Sequence, residues 1–220
     1  MSFQYIVARY NEEIDWLRLD YTQPNKGIAP IILYNKGETI EYNGPVIPLP
    51  NVGREAHTYL YHIVENYDNL ADITVFTQAK VWDHMYRQDL NYLQSLLVDS
   101  AKEQHYSRNI LIAPNGTYPN YNSDFNVQIR EALVKLCKIP EESVDKIVFR
   151  EWFEQHIEPS FPEPLRLYQG AIFAVSKQQI LTRSRDYYRD LLKQVDTENN
   201  PIEAHFFERS WFYVFNCHKL

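Results

Sequence analysis

Residues 51–84, NVGREAHTYLYHIVENYDNLADITVFTQAKVWDH, admit few folds. A Gly-containing turn leads into an amphipathic segment, a short polar turn, an apolar strand and a polar cluster where that strand should end. Asn51 and Gly53 suit unusual backbone angles, and Arg54 and Glu55 place one charge of each sign at a helix N-terminus. Ala56, Tyr59, Leu60, Ile63 and Val64 recur with a period of about 3.6 residues, which predicts a helix burying one side. Residues 73–76 are β-branched and aromatic, as in a buried strand. The next polar residues, Thr77, Gln78, Lys80, Asp83 and His84, are too dense in hydrogen-bonding groups to continue a core. Ligands of open α/β sheets bind beyond the carboxyl ends of the strands, so a site is expected there.

The rest of the chain repeats this alternation. Residues 4–8 form an apolar first strand running into Arg9-Tyr10-Asn11-Glu12-Glu13. Asn11 is placed to N-cap a helix whose apolar face is Ile14, Trp16 and Leu17. A strand delivered to a helix N-terminus offers free backbone N–H groups to an anion. A second strand, 31–34, ends at Asn35-Lys36-Gly37, and Pro45, Pro48 and Pro50 forbid an interior strand after it. Further on, the spacing predicts helices over 89–98 and 127–137, a short strand at 110–112 and an irregular loop over 114–122. Within that loop Asn115-Gly116-Thr117 fits a glycosylation sequon but reads as a turn. Residues 168–175 are the strongest strand of the C-terminal half, Ser176 caps a helix, and a last helix begins near Pro201. The expected architecture is an α/β sandwich, one domain over residues 1–220, around a mostly parallel central sheet.

Composition removes several function classes. The net charge is −7, from 22 basic and 29 acidic residues, with no basic block, which argues against sequence-independent nucleic-acid binding. Mean hydropathy is −0.47 and no apolar run reaches bilayer length, so the chain reads as soluble with no membrane span. Its start lacks the pattern of a secretion signal, and Cys137 and Cys217 are too few for a disulfide framework, so a reducing, cytoplasmic setting is expected. Seventeen tyrosines supply apolar rings with polar tips, which suit sugar or base stacking, although compositional bias explains them equally well.

Several motifs, in order, carry a resemblance. VARYNEEIDWL resembles the opening of nucleotide-sugar glycosyltransferases of the GT-A type, a Rossmann-like fold. LYNKG, NVGRE, YLYHIVENYDNL, VFTQA and WDH, then GAIFAVSKQQIL and FFERSWFYVF, resemble a small glycosyltransferase-like family of large DNA viruses, fungi and bacteria. NVGRE also resembles, more distantly, the Gly-Arg-Asp region of rhamnan-synthesis glycosyltransferases. The resemblance implies transfer of a sugar from a nucleotide-diphosphate donor, a UDP-sugar being favoured, to a glycan or glycoprotein acceptor. It implies a nucleotide-binding half over about 1–110 and an acceptor half over about 111–220. For a viral protein it implies action in the host cytoplasm.

The implied nucleotide-sugar pocket takes Ala8, Arg9, Tyr10 and Asn11 from the first strand's end and Tyr34 and Asn35 from the second's. It adds Asn51, Gly53 and Arg54, with Thr77 and Gln78 from the central strand. Arg54 suits the diphosphate because a guanidinium meets two phosphate oxygens at once, and Lys80 or Arg9 could share that work. GT-A enzymes usually end the central strand with Asp-x-Asp around a divalent Mn or Mg ion; here it ends Phe76-Thr77-Gln78-Ala79, poor ligands for a hard cation. Asp83 and His84 could hold the metal instead, or protein cations could do its work. For the base that takes the acceptor proton, Glu208 is the first candidate and Asp83 the second. Trp211 is a candidate sugar-stacking surface.

Plainer readings stand beside these. Arg54 and Glu55 could simply cap and pair, Glu208 and Arg209 could be a solvated pair, 211–215 could be a core stripe, and His57 and His62 read as packing residues. A non-catalytic nucleotide- or carbohydrate-binding module is the alternative function. A glycoside hydrolase, using Asp83 and Glu208, would leave the first strand's turn unexplained.

Overall fold

The structure is a computed structural model that describes residues 2–17, 30–81, 111–112, 118–121, 125–167 and 171–219. The expected helix over 89–98, the sequon, and Asp83 and His84 lie outside the described residues.

Strands β1 (Phe3–Arg9), β2 (Ile31–Asn35), β3 (Val46–Pro48) and β4 (Ile73–Gln78) are consecutive in the described sequence, and the sheet runs β3-β2-β1-β4-β8-β5. Here β5 is Leu111–Ile112 and β8 is Phe173–Ser176. The first four strands pair in parallel, whereas β8 runs antiparallel to both β4 and β5. The fold is therefore α/β with a mostly parallel sheet. The proline-rich segment forms only β3, at one edge, where a missing ladder N–H costs least. A separate ribbon joins β6 (Tyr118–Tyr121) to β7 (Leu165–Leu167).

Both faces of the sheet are covered, which is why its strands read as unbroken apolar runs. Along β1, Tyr5 and Val7 pack with Ile14, Trp16 and Leu17 on one face, while Ile6 and Ala8 join the larger core on the other. That larger core is built by α1 (Arg54–Asn66), α4 (Phe149–His156), α6 (Arg185–Lys193) and α7 (Ile202–Val214). Helices α2 (Phe125–Lys135), α3 (Glu141–Val144) and α5 (Lys177–Ile180) add Leu133, Val144 and Ile180 to it. Aromatic rings fill the centre: Trp211 stacks between Phe207 and Phe215 at centroid distances of 5.4 and 5.7 Å and is 1% exposed.

Three expectations change. The stretch expected to be an irregular loop over 114–122 contains a strand, β6, paired with β7. Asn11 does not cap a helix: among the described residues helical backbone starts at residue 15, and Asn11 Oδ1 accepts instead from the Glu38 N–H at 2.8 Å, tying the ends of β1 and β2. The strand expected over 168–175 is β8, Phe173–Ser176; Ala171 has φ +45° and stands outside the ladder. Ser176 ends that strand and does cap α5, its Oγ accepting from the Gln179 N–H.

Candidate functional site

Between β1 and β4 the chain order reverses: β2 and β3 are added on one side of β1, then β4 on the other. In such sheets the carboxyl ends of the two strands at the reversal splay around a crevice. The crevice is present, a cleft of about 340 Å³ whose floor includes Ala8 and Arg9 from β1 and Gln78 from β4. Ala8 and Gln78 are register partners in the parallel ladder, so the cleft opens where that ladder stops.

Of the residues expected to bind a nucleotide sugar, Ala8, Arg9, Tyr10, Asn51, Arg54 and Gln78 line this cleft. Tyr10 is 48% exposed, a large ring left in solvent at the mouth. Tyr34 is elsewhere: it is 1% exposed in the core, its hydroxyl 3.0 Å from His62 Nδ1. Thr77 is fully buried and its hydroxyl bonds to the Gln78 carbonyl. Asn11, Asn35 and Gly53 shape the cleft from behind without lining it. Asn35 Oδ1 receives Arg9 Nη1 at 2.6 Å, while its amide nitrogen donates to the Gly37 and Glu38 carbonyls.

Gly53 and Arg54 begin α1 with φ of +59° and +49°. Gly53 is required there, since a Cβ would lie 2.2 Å from the Val195 carbonyl oxygen. Arg54 has no such licence, and a non-glycine residue in this region is a local strain that the surroundings must hold. Lys36 supplies that hold: Nζ donates to the carbonyls of Val52 and Arg54, bracketing the strained pair. Burial lowers the Lys36 pKa to about 8, against the opposing pull of Glu55 and Asp196.

Arg9 is 7% exposed and is pinned in the same way, Nε to the Glu12 carbonyl and Nη1 to Tyr10, Asn35 and Glu38 oxygens. Glu12 Oε2 accepts from the Tyr10 N–H at 2.7 Å. Glu55, its side chain 12% exposed, lies 3.7 Å from Arg54 Nε; burial holds its pKa up, Arg54 opposes this and Glu208 adds to it.

The opposite wall comes from the segment after α6. Asn199 and Asn200 line the cleft, the Glu198 carbonyl accepts from Gly53 N–H at 2.7 Å, and Asn200 Oδ1 lies 3.4 Å from Arg54 Nη1 and 2.9 Å from His205 Nε2. Burial, with Arg54 and Arg209 nearby, lowers the His205 pKa to about 3.

Glu208 is not among the lining residues; it sits on α7, 23% exposed and 3.6 Å from Arg209 Nη1. Trp211, buried in the aromatic stack, is not a sugar platform. Lys36, Glu12, Glu55, Asn199 and Asn200 are lining residues that the pocket read from sequence omits. Lys36 directly follows β2, and the strand-end rule applied to Gln78 and Lys80 would have found it. Asn199 and Asn200 carry no local signal.

The lining holds four basic side chains, Arg9, Lys36, Arg54 and Lys80, and two acidic ones, Glu12 and Glu55, a net of +2 within a chain of net −7. Among the described residues no group of three or more His, Cys, Asp and Glu could hold a metal ion. No described helix is long and apolar enough to cross a membrane, and Cys137 and Cys217 are free thiols.

Fold and cleft together define an α/β protein whose polar, cation-lined crevice lies at the sheet's reversal point. The chain belongs to the family described as Protein of unknown function (DUF3431), which matches residues 5–220. Comparison with curated proteins returns no match.

Proposed function

We propose that the cleft binds a nucleoside-diphosphate sugar, a UDP-sugar first, and transfers its sugar to a hydroxyl of a glycan or glycoprotein acceptor within a GT-A-like fold. The observation that carries this reading is the local reversal of charge: a net +2 lining at the reversal point of an acidic chain suits a ligand with closely spaced negative charges. One opposite unit charge at 4 Å contributes about 4 kcal/mol at an effective dielectric near 20, before desolvation is subtracted. The exposed Tyr10 ring offers a stacking face for a base or sugar beside those cations.

In the transfer, the bond from the anomeric carbon to the diphosphate oxygen breaks and a bond to the acceptor oxygen forms. The nucleoside diphosphate leaves, and the acceptor proton passes to a carboxylate. Glu55 is better placed for that base than Glu208, because it lines the cleft and its burial raises its basicity toward the operating range. A divalent ion, which the resemblance implies, finds a poor ligand set among the described residues. Glu12 is already an acceptor for Tyr10 N–H and Glu55 lies beside Arg54, so no step is assigned to a metal.

The second reading, a binding module without turnover, is favoured by one observation: Glu208 stands outside the cleft lining. A hydrolysis and transfer assay over a panel of nucleotide sugars separates the two, after a thermal-shift screen has identified the nucleotide. Saturating ligand at a hundred times its Kd stabilises by about 2.7 kcal/mol. Free sugar or glycosylated product supports the transferase; a shift without either supports the module; no shift with any nucleotide removes both nucleotide readings.

A further inference from the structure

Three lining side chains share an arrangement that composition alone would not give: each is pinned by neighbouring protein groups in a way that leaves one kind of hydrogen still to be used. Arg9 donates through Nε and Nη1 to four oxygens, and Nη2 makes no bond among the described residues. Lys36 has three N–H groups, of which two point at the Val52 and Arg54 carbonyls, so tetrahedral geometry turns the third away from them. Asn200 is fixed by valence. Arg54 can only donate, so the group facing its Nη1 must be the Asn200 oxygen; that same oxygen lies 2.9 Å from His205 Nε2, which must therefore carry a proton. The Asn200 amide N–H2 is left for the cleft that this residue lines.

We propose that Arg9, Lys36 and Asn200 form a preorganised donor set that binds the diphosphate of a nucleoside diphosphate directly, without a divalent ion. The inference rests on the nucleotide-sugar reading and names what holds its charged part. Donors whose other bonds are already made lose little freedom when the ligand arrives, which is the source of their advantage over mobile surface lysines. It also places Arg54 in a supporting chain, His205 to Asn200 to Arg54, that orients the guanidinium toward the same ligand.

The test is calorimetric titration of the full chain with UDP and with UMP, in EDTA and then with manganese added. The expected result is UDP binding in EDTA, with manganese changing Kd by less than about twofold and UMP at least about tenfold weaker. Asn200→Asp keeps an oxygen for Arg54 and His205 and replaces the amide donor by a carboxylate oxygen; it should weaken UDP by about tenfold or more with the melting point held. Lys36→Met should weaken UDP to a similar extent when measured below its lowered melting point, and Asn200→Asp stands alone should Lys36→Met fail to fold. UDP binding that appears only with manganese overturns the proposal and leaves the nucleotide-sugar reading standing, as does unchanged affinity in Asn200→Asp. UDP binding under neither condition removes the nucleotide-sugar reading itself.

Discussion

The ammonium of Lys36 is hydrogen-bonded to the carbonyl oxygen of Arg54, a residue whose own φ is +49°. A half-buried cation from the end of β2 thus secures the backbone that presents a second cation from the start of α1. Left-handed backbone at a non-glycine residue costs on the order of 1–3 kcal/mol and persists where neighbours over-determine it. Removing the ammonium leaves the Val52 and Arg54 carbonyls short of a donor. Lys36→Met should therefore lose about 1–3 kcal/mol, a fall of roughly 2–12 °C in melting temperature for a chain of this size. Differential scanning calorimetry checks it; an unchanged melting point would mean that water replaces the ammonium.

The same lysine should make anion binding pH-dependent. Its folded pKa, about 8, lies below its ordinary value because burial disfavours the charged form. A bound diphosphate favours that form and draws a proton in. Affinity for UDP should accordingly be flat below pH 8 and fall by up to about tenfold per unit above it, with proton uptake visible as buffer-dependent heats. A flat profile from pH 7 to 9.5 would take Lys36 out of contact with the ligand.

His57, His62 and His205 are buried with pKa values lowered to about 4, 4 and 3, in each case chiefly by loss of solvent. Their folded values lie below the ordinary 6.5, so the unfolded chain takes protons first. The stability they allow is fully present above pH 6.5 and is lost as pH falls through 4. His62 illustrates the cause: it is fully buried, with the Tyr34 hydroxyl 3.0 Å from Nδ1, and Nε2 has no partner among the described residues. Urea midpoints should drop steeply between pH 6.5 and 4, and His62→Phe should make that drop shallower by about one proton of three. A slope unchanged in His62→Phe would show that His62 does not contribute.

Glu55 and Glu208 make opposite predictions. Glu55→Gln removes a negative charge from the cleft, so UDP binding should be kept or tightened while sugar transfer falls by about 10²-fold or more. Glu208→Gln should alter transfer by less than about tenfold, since that carboxylate lies outside the lining. Rate and affinity measured side by side decide; full turnover in Glu55→Gln returns the role to another group.

Trp211→Ala tests the core reading of α7. Truncating a ring that is 1% exposed and stacked on two others should cost about 3–5 kcal/mol. UDP affinity, measured below the melting point, should stay the same. Selective loss of ligand affinity at unchanged stability would give the tryptophan a binding role after all.

Much of the fold was legible because periodicity and burial agree. The apolar positions of 56–64 do face the core, the runs at 4–8, 31–34 and 73–76 are strands, and the prolines do mark an edge. The direction of β8 was not legible, because an apolar run reads the same both ways, and nothing local told that this strand enters the sheet upside down. In the cleft, strand-end logic located Arg9, Tyr10 and Gln78. It misplaced Tyr34, whose buried hydroxyl is satisfied by a histidine on another element, and it passed over Lys36, one residue beyond the strand. Asn199 and Asn200 were out of reach: their role depends on α6 packing against α1, a contact between distant segments.

That antiparallel β8 has a further consequence, for the order in which the molecule can become functional. Because β8 begins beside the cleft and ends at the far side of the sheet, the chain must travel back along α6 before the 196–200 segment can meet Arg54, a partner 146 residues earlier. During synthesis the first four strands can pair long before that segment leaves the ribosome. A nascent or truncated chain ending before residue 199 would thus hold a sheet with only one bank of the cleft, and ligand binding would serve as a readout of completed folding.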